Sequence, residues 1–151
     1  MIPVRVNLVA SLLQHMRFIV AVDGSDESDE ALRQAVSLAK PLDAEVEVVH
    51  AITPEIYSEE GRMLIEDMSD AEARADSVLA DAEEVAEGEC FEVETESLYG
   101  DAVEEIVEYS EETDADAVFV GHRGVSTEHD AVGSVAQELV RKASVPVTVV
   151  R

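Results

Sequence analysis

The chain contains no tryptophan, one cysteine and only six other aromatic residues, three Tyr and three Phe, among 151 positions. A lone Cys90 excludes an intrachain disulfide, and a small buried hydrophobe is the expected role for it. Cations are as scarce. Lys+Arg total 10 against 35 Asp+Glu, giving a net charge of -25, and Lys40 and Lys142 are the only lysines. Nucleic-acid binders need a basic footprint, and none is present, so that function class is excluded. No apolar run approaches the ~20 residues of a membrane span, so no membrane association is expected. The apolar part of Asn7 to Met16 is short and lacks a cleavage pattern for a secretory leader, leaving a cytoplasmic protein as the expectation.

What is there is a regular apolar framework, 46% of the residues, enough for one domain with a real core. Val, Ile, Leu and Ala recur in fixed patterns between the acids, so the acids read as a solvated coat rather than as disorder. Residues 1–15 fit nothing that follows, while Met16-Arg17 opens directly into a strand. The first fifteen residues are therefore expected to be a disordered or peripheral extension of a domain spanning 16–151; the alternative is an extra strand from Val4 to Leu8.

Phe18-Ile19-Val20-Ala21-Val22 is a continuous run of β-formers, the mark of a strand covered on both faces. It stops at Asp23-Gly24-Ser25. Asp26 to Lys40 then carries Leu32, Ala35, Val36 and Ala39 at helical spacing, with Ser25 or Asp26 as cap and Pro41 as terminator. Glu45 to Ile52 is a second strand, and Thr53 to Gly61 reads as irregular. A long helix is expected from about Leu64 to Val85, with Leu64, Met68, Ala71, Ala75, Val78, Leu79 and Ala82 on its apolar stripe. Phe91 to Leu98 alternates and suits a sheet edge. A third helix follows Gly100-Asp101, then an apolar strand Ala117 to Val120. The last helix, Gly133 to Ala143, should pack Val135, Ala136, Leu139 and Val140, and the last strand is Val145 to Val150. Strands separated by helices imply right-handed crossovers and a mainly parallel sheet with helices on both faces.

The chemistry concentrates in Gly121-His122-Arg123-Gly124, eight residues, then Gly133-Ser134. Glycines let a backbone approach a ligand, and the free N–H groups of a helix start can hold an anion. The spacing is neither the Walker nor the Rossmann pattern. His122 and His129 do not complete a tetrahedral metal set. His50, at the end of a buried strand, reads as satisfied packing. Arg123 suits a phosphate or a surface ion pair about equally. No nucleophile, base and orienting group assemble, so no enzymatic activity is expected beyond slow incidental hydrolysis.

These stretches resemble the universal stress protein family. The resemblance is carried by Phe18 through Ser25, by His50-Ala51, by the run from Gly121 to Ser134 and by Val145-Pro146-Val147-Thr148-Val149-Val150. It implies five parallel strands in the order 3-2-1-4-5 and a ligand crevice where that order reverses. It also implies ATP or a related adenine nucleotide, with Mg²⁺, in the crevice. Ala21, Val22 and Ala51 would then border the base, with Asp23 near the adenosine. Gly121 and Gly124 would wrap the ribose and phosphates, and Gly133, Ser134 and Val135 would stand at the phosphate end with Arg123 in the same loop. A homodimer paired through strand 145–150 is implied as well. One departure stands out: the family pattern has nine residues between its second and third glycines, and eight separate Gly124 from Gly133. Glu128 and Asp130 also add negative charge to that loop. A non-nucleotide dimeric scaffold acting through protein–protein contacts is therefore the alternative function. The acidic coat, the preference for arginine and the small core residues resemble proteins of salt-accumulating archaea, so a halophilic source is expected.

Overall fold

The computed structural model describes residues 15–53, 56–59, 62–65, 67–123 and 132–151. The described chain opens with β1, Arg17–Ala21, and α1, Asp26–Leu42. Ser25 caps α1, its hydroxyl accepting from the Ser28 N–H, and Asp26, Glu27 and Asp29 place negative charge at the positive end of the helix dipole. Pro41 does not end the helix, as the sequence suggested. It sits inside the last turn, where the missing N–H removes one bond, and the helix closes at Asp43 in the left-handed region at φ 53°.

Strand β2 spans Glu45–Ile52. The next segment departs from expectation: a two-stranded antiparallel hairpin, β3 Ile56–Glu59 and β4 Arg62–Ile65, stands where an irregular stretch and the first turn of a helix were predicted. Helix α2 therefore starts later, at Met68, with the Asp67 carboxylate accepting from the Ser69 N–H, and runs to Gly88. Met68, at its very start, is exposed rather than on the buried stripe. Cys90 is also exposed, because the turn out of α2 sets it in the left-handed region at φ 58° instead of in the core. β5 Glu94–Tyr99, α3 Ala102–Glu112, β6 Ala117–Gly121, α4 Ser134–Lys142 and β7 Val147–Val150 complete the chain.

The main sheet has the order β5-β2-β1-β6-β7, every pair parallel. Leaving the hairpin aside, this is the expected 3-2-1-4-5 order. Alternate residues of β1 feed two cores. Phe18, Val20 and Val22 pack with Leu32 and Val36 of α1 and Leu79 of α2 on one face, while Ile19 and Ala21 pack with Ile106 of α3 and Leu139 of α4 on the other. Alanines supply much of the helix contact surface: Ala31, Ala35 and Ala39 of α1 and Ala71, Ala75, Ala82 and Ala86 of α2 are all buried. On α4 the buried stripe is narrower than predicted, with Ala136 and Leu139 inside and Val135 and Val140 exposed; this nine-residue helix packs mainly against α3 and β7.

Glu47 is the one acid buried inside a sheet strand among the described residues. It is neutralised in place: Arg17 Nη1 lies 3.4 Å from Oε2, and the Tyr109 hydroxyl donates to Oε1. Burial, then the bond to Glu47, pushes the Tyr109 phenol well above its ordinary range.

Candidate functional site

β1 and β6 are neighbours whose crossovers leave in opposite directions, so the sheet opens a cleft beyond their carboxyl ends. The cleft is open to solvent and has a cavity volume of about 160 Å³. Ala21, Val22 and Asp23 reach it from the end of β1, Ala51 from β2, and Gly121 and Arg123 from the end of β6. The start of α4 brings Gly133, Ser134 and Val135. Ala21 and Ala51 are 51 − 21 = 30 positions apart and Ala51 and Gly121 are 121 − 51 = 70 apart, and the topology gathers them. Gly124, the remaining candidate, lies outside the described residues.

Asp23 is oriented by its neighbours. Its Oδ1 accepts from the Ser25 N–H at 3.0 Å and from the Ser25 hydroxyl at 2.6 Å. Ser25 in turn receives the Ser28 N–H at 3.1 Å, and the Ser28 hydroxyl donates to the Ser25 carbonyl at 2.9 Å. Asp23 thus does not cap α1 itself; it holds the serine that does. Ser28 also reaches the cleft wall, a position that sequence reading missed although a serine three residues after a cap is a visible signal.

His50 fixes the floor between β1 and β2. Its Nδ1 lies 2.8 Å from the Val22 carbonyl, while the Val22 N–H donates to the Val49 carbonyl at 2.9 Å. A carbonyl only accepts, so Nδ1 carries a proton. The ring's Nε2 is buried with no partner among the described residues. The packing predicted for His50 is therefore satisfied on one nitrogen only, and the ring is also part of the cleft wall.

At the end of β6 the backbone is tied on both sides. The His122 N–H donates to the Val150 carbonyl at 2.8 Å, and the Gly133 N–H donates to the His122 carbonyl at 2.6 Å. The second bond clamps the base of the glycine loop and engages one of the N–H groups expected at the phosphate end. The side chains of Ser25, Asp67 and Asp101 cap α1, α2 and α3, whereas among the described residues no side chain caps α4. Ser134 and Val135 of its first turn line the cleft, and the amides of a helix start have no partner within the helix. Arg123 is in an ion pair, Nη2 lying 3.0 Å from Glu27 Oε1. His122 is buried rather than a polar loop residue, since its backbone is still held by β7.

Among the described residues no group of three or more His, Cys, Asp or Glu is placed to share a metal ion, and no helix is long and apolar enough to cross a membrane. The arrangement offers an apolar floor, one oriented carboxylate and an uncapped helix start: a site for a molecule with a flat apolar part, hydroxyls and an anionic end.

The pattern that defines the universal stress protein family matches residues 15–151. A universal stress protein of Methanocaldococcus jannaschii is 31% identical over 142 residues, covering 91% of this chain and 82% of that protein. The universal stress protein YxiE of Bacillus subtilis is 30% identical, over 89% of this chain and 98% of its own. Among solved structures, the universal stress protein from Archaeoglobus fulgidus in complex with dAMP superposes with a TM-score of 0.71 at 28% identity, covering 91% of this chain and 98% of that one. A universal stress protein in complex with cAMP gives a TM-score of 0.67 at 25% identity, over 91% and 97%. The chain belongs to the universal stress protein family.

Proposed function

We propose that the protein is a regulatory module of the stress response that binds an adenine nucleotide, ATP with Mg²⁺, in the cleft between β1, β6 and α4. The observation that carries this reading is the uncapped start of α4, set across one cleft from the oriented Asp23 carboxylate. Ala21, Val22 and Ala51 border the base, Asp23 accepts from the ribose hydroxyls, Gly124 keeps side chains away from the ribose and phosphates, and Gly121 lets the end of β6, which borders the cleft, pack closely on α1. The Ser134 and Val135 amides and the Ser134 hydroxyl meet the phosphates; the Gly133 amide already serves the His122 carbonyl. Solved relatives with dAMP and with cAMP support an adenine nucleotide as the ligand class. Occupancy rather than turnover is the output in this reading, since the sequence assembles no nucleophile, base and orienting group.

Calorimetry should detect ATP binding with Mg²⁺ present, and nucleotide should be released from protein denatured after purification. Ser134→Ala should weaken binding by roughly 1.5–3 kcal/mol, the worth of a hydrogen bond to a charged group, whereas Gly124→Val should block it. If the unaltered protein binds no adenine nucleotide and releases none, the dimeric scaffold becomes the better reading. Two observations favour that second reading: the engaged Gly133 amide and the eight-residue spacer.

A homodimer through 145–150 is part of the proposal. β7 ends the sheet and its four residues are only half-buried. An apolar edge of this kind gains from pairing with a second copy. Light scattering at micromolar concentration should give twice the 16.4 kDa chain mass, and a monomer mass would remove this part of the proposal.

A further inference from the structure

Among the described residues that line the cleft, Arg123 is the only lysine or arginine, and Glu27 pairs with it. The Nη2–Oε1 separation is 3.0 Å, with 28% and 25% of the two side chains exposed. The partners are 96 residues apart in the chain, so the pair is a product of the fold. Glu27 is itself fixed from behind. Its backbone carbonyl carbon and Cβ pack so closely on Gly121 that a side chain there would start 2.8–2.9 Å away. The carboxylate also stands in the first turn of α1, where the helix dipole favours negative charge whether or not an arginine is near. Being partly exposed as well, Glu27 would not be stranded if Arg123 turned toward another anion. The exchange therefore avoids the large cost of uncovering a buried charge.

We infer that Glu27 is a resident counter-anion for Arg123, a stand-in for a ligand phosphate, and that it sets how strongly the cleft responds to phosphate on its ligand. This rests on the cleft taking an adenine nucleotide. Phosphate binding then swaps one anion for another at Arg123, and the released Glu27 carboxylate adds repulsion to the bound phosphates. Glu27 is a specificity-determining residue: it holds down the advantage that ATP has over adenosine.

The test is calorimetry with adenosine, AMP and ATP at fixed salt and Mg²⁺, on the unaltered protein, Glu27→Gln, Arg123→Gln and the double variant. Glu27→Gln should raise ATP affinity about three- to tenfold, raise AMP affinity less, and leave adenosine unchanged. Arg123→Gln should weaken ATP and AMP but not adenosine, and in that background Glu27→Gln should lose its effect. An equal gain without Arg123 would mean simple repulsion and would overturn the exchange. A loss of ATP affinity in Glu27→Gln would do the same, by showing that Glu27 positions Arg123 for phosphate. Absence of adenosine binding by the unaltered protein would count against the nucleotide reading alone. Tripolyphosphate, which carries the phosphates without the base, then tests the exchange by itself: Glu27→Gln must strengthen it only when Arg123 is present.

Discussion

Gly121→Ala is expected to destabilise the protein by about 1–3 kcal/mol, a fall in melting temperature of roughly 3–10 °C for a chain of this length, with no nucleotide present. A Cβ at that position would lie 2.8 Å from the Glu27 carbonyl carbon, 2.9 Å from its Cβ and 3.0 Å from its carbonyl oxygen. Two of those three atoms are backbone in the first turn of α1, so no flexible side-chain end can swing aside. Either the start of α1 lifts or the end of β6 drops, and both borders of the cleft move. Gly121→Val aims further carbons at the same backbone and should cost about 3 kcal/mol or more. Gly88→Ala provides the contrast. That glycine closes α2 with nothing within 4 Å of a new Cβ, and alanine there should add about 0.5–1 kcal/mol by removing glycine's freedom in the unfolded chain. Thermal melts of the three variants decide the matter. Equal stability of Gly121→Ala and the unaltered protein would show that Gly121 is kept for a ligand alone. The predicted loss assigns it to packing between β6 and α1 first.

The parts of this fold that were legible in the sequence are those fixed by burial on both faces. The central β1 and β6 are short apolar runs because helices cover both sides of them, and the expected bounds of β2, Glu45 to Ile52, coincide with the observed strand. The capping serine and the acidic first turn of α1 were visible for the same local reason. The hairpin at 56–65 was not. Its strands have four residues each, too few for a period to show, and the signal that remained was a two-residue gap containing Gly61 between apolar pairs. At the site, the strand-end residues and the Gly-Ser start of α4 could be named in advance. The contacts that give them their state could not. The His50 bond to the Val22 carbonyl spans 28 residues and the Arg123–Glu27 pair 96, and nothing in local spacing encodes such pairings. Gly121 was marked as a ligand glycine; its contact with Glu27 appears only when β6 and α1 are set side by side.

Lowering ionic strength is expected to reduce the melting temperature on the order of 10 °C or more between ~0.5 M and ~0.01 M monovalent salt, as the Debye length grows from a few ångströms toward ~30 Å. If every lysine and arginine neutralised one of the 35 acids, the 10 cations would still leave 35 − 10 = 25 carboxylates without one. Some of the cations are spent in groups: Arg141 and Lys142 both pair with Glu138, and Arg33 serves Glu30 and Glu89. The crowding already shows in two side chains. Glu112 is held above the ordinary carboxylate range, first by a hydrogen bond to the Glu108 carboxyl and then by its charge. Asp29 is raised by burial, countered by Arg33, with Asp26, Asp81 and Glu30 adding to the rise. A group raised in the folded state binds its proton more tightly there than in the unfolded chain. Its contribution is present at low pH and is lost as pH climbs through the folded pKa. Acidifying from pH 7 toward ~5 at low salt should therefore restore part of the lost melting temperature, with Glu112→Gln reducing that recovery. The shape of the salt curve separates the causes. Coulombic screening is nearly complete by ~0.5 M, whereas exclusion of salt from the surface keeps raising stability through the molar range. A flat profile below ~0.5 M would remove self-repulsion as a force on this fold, and with it the reason for expecting a salt-accumulating source.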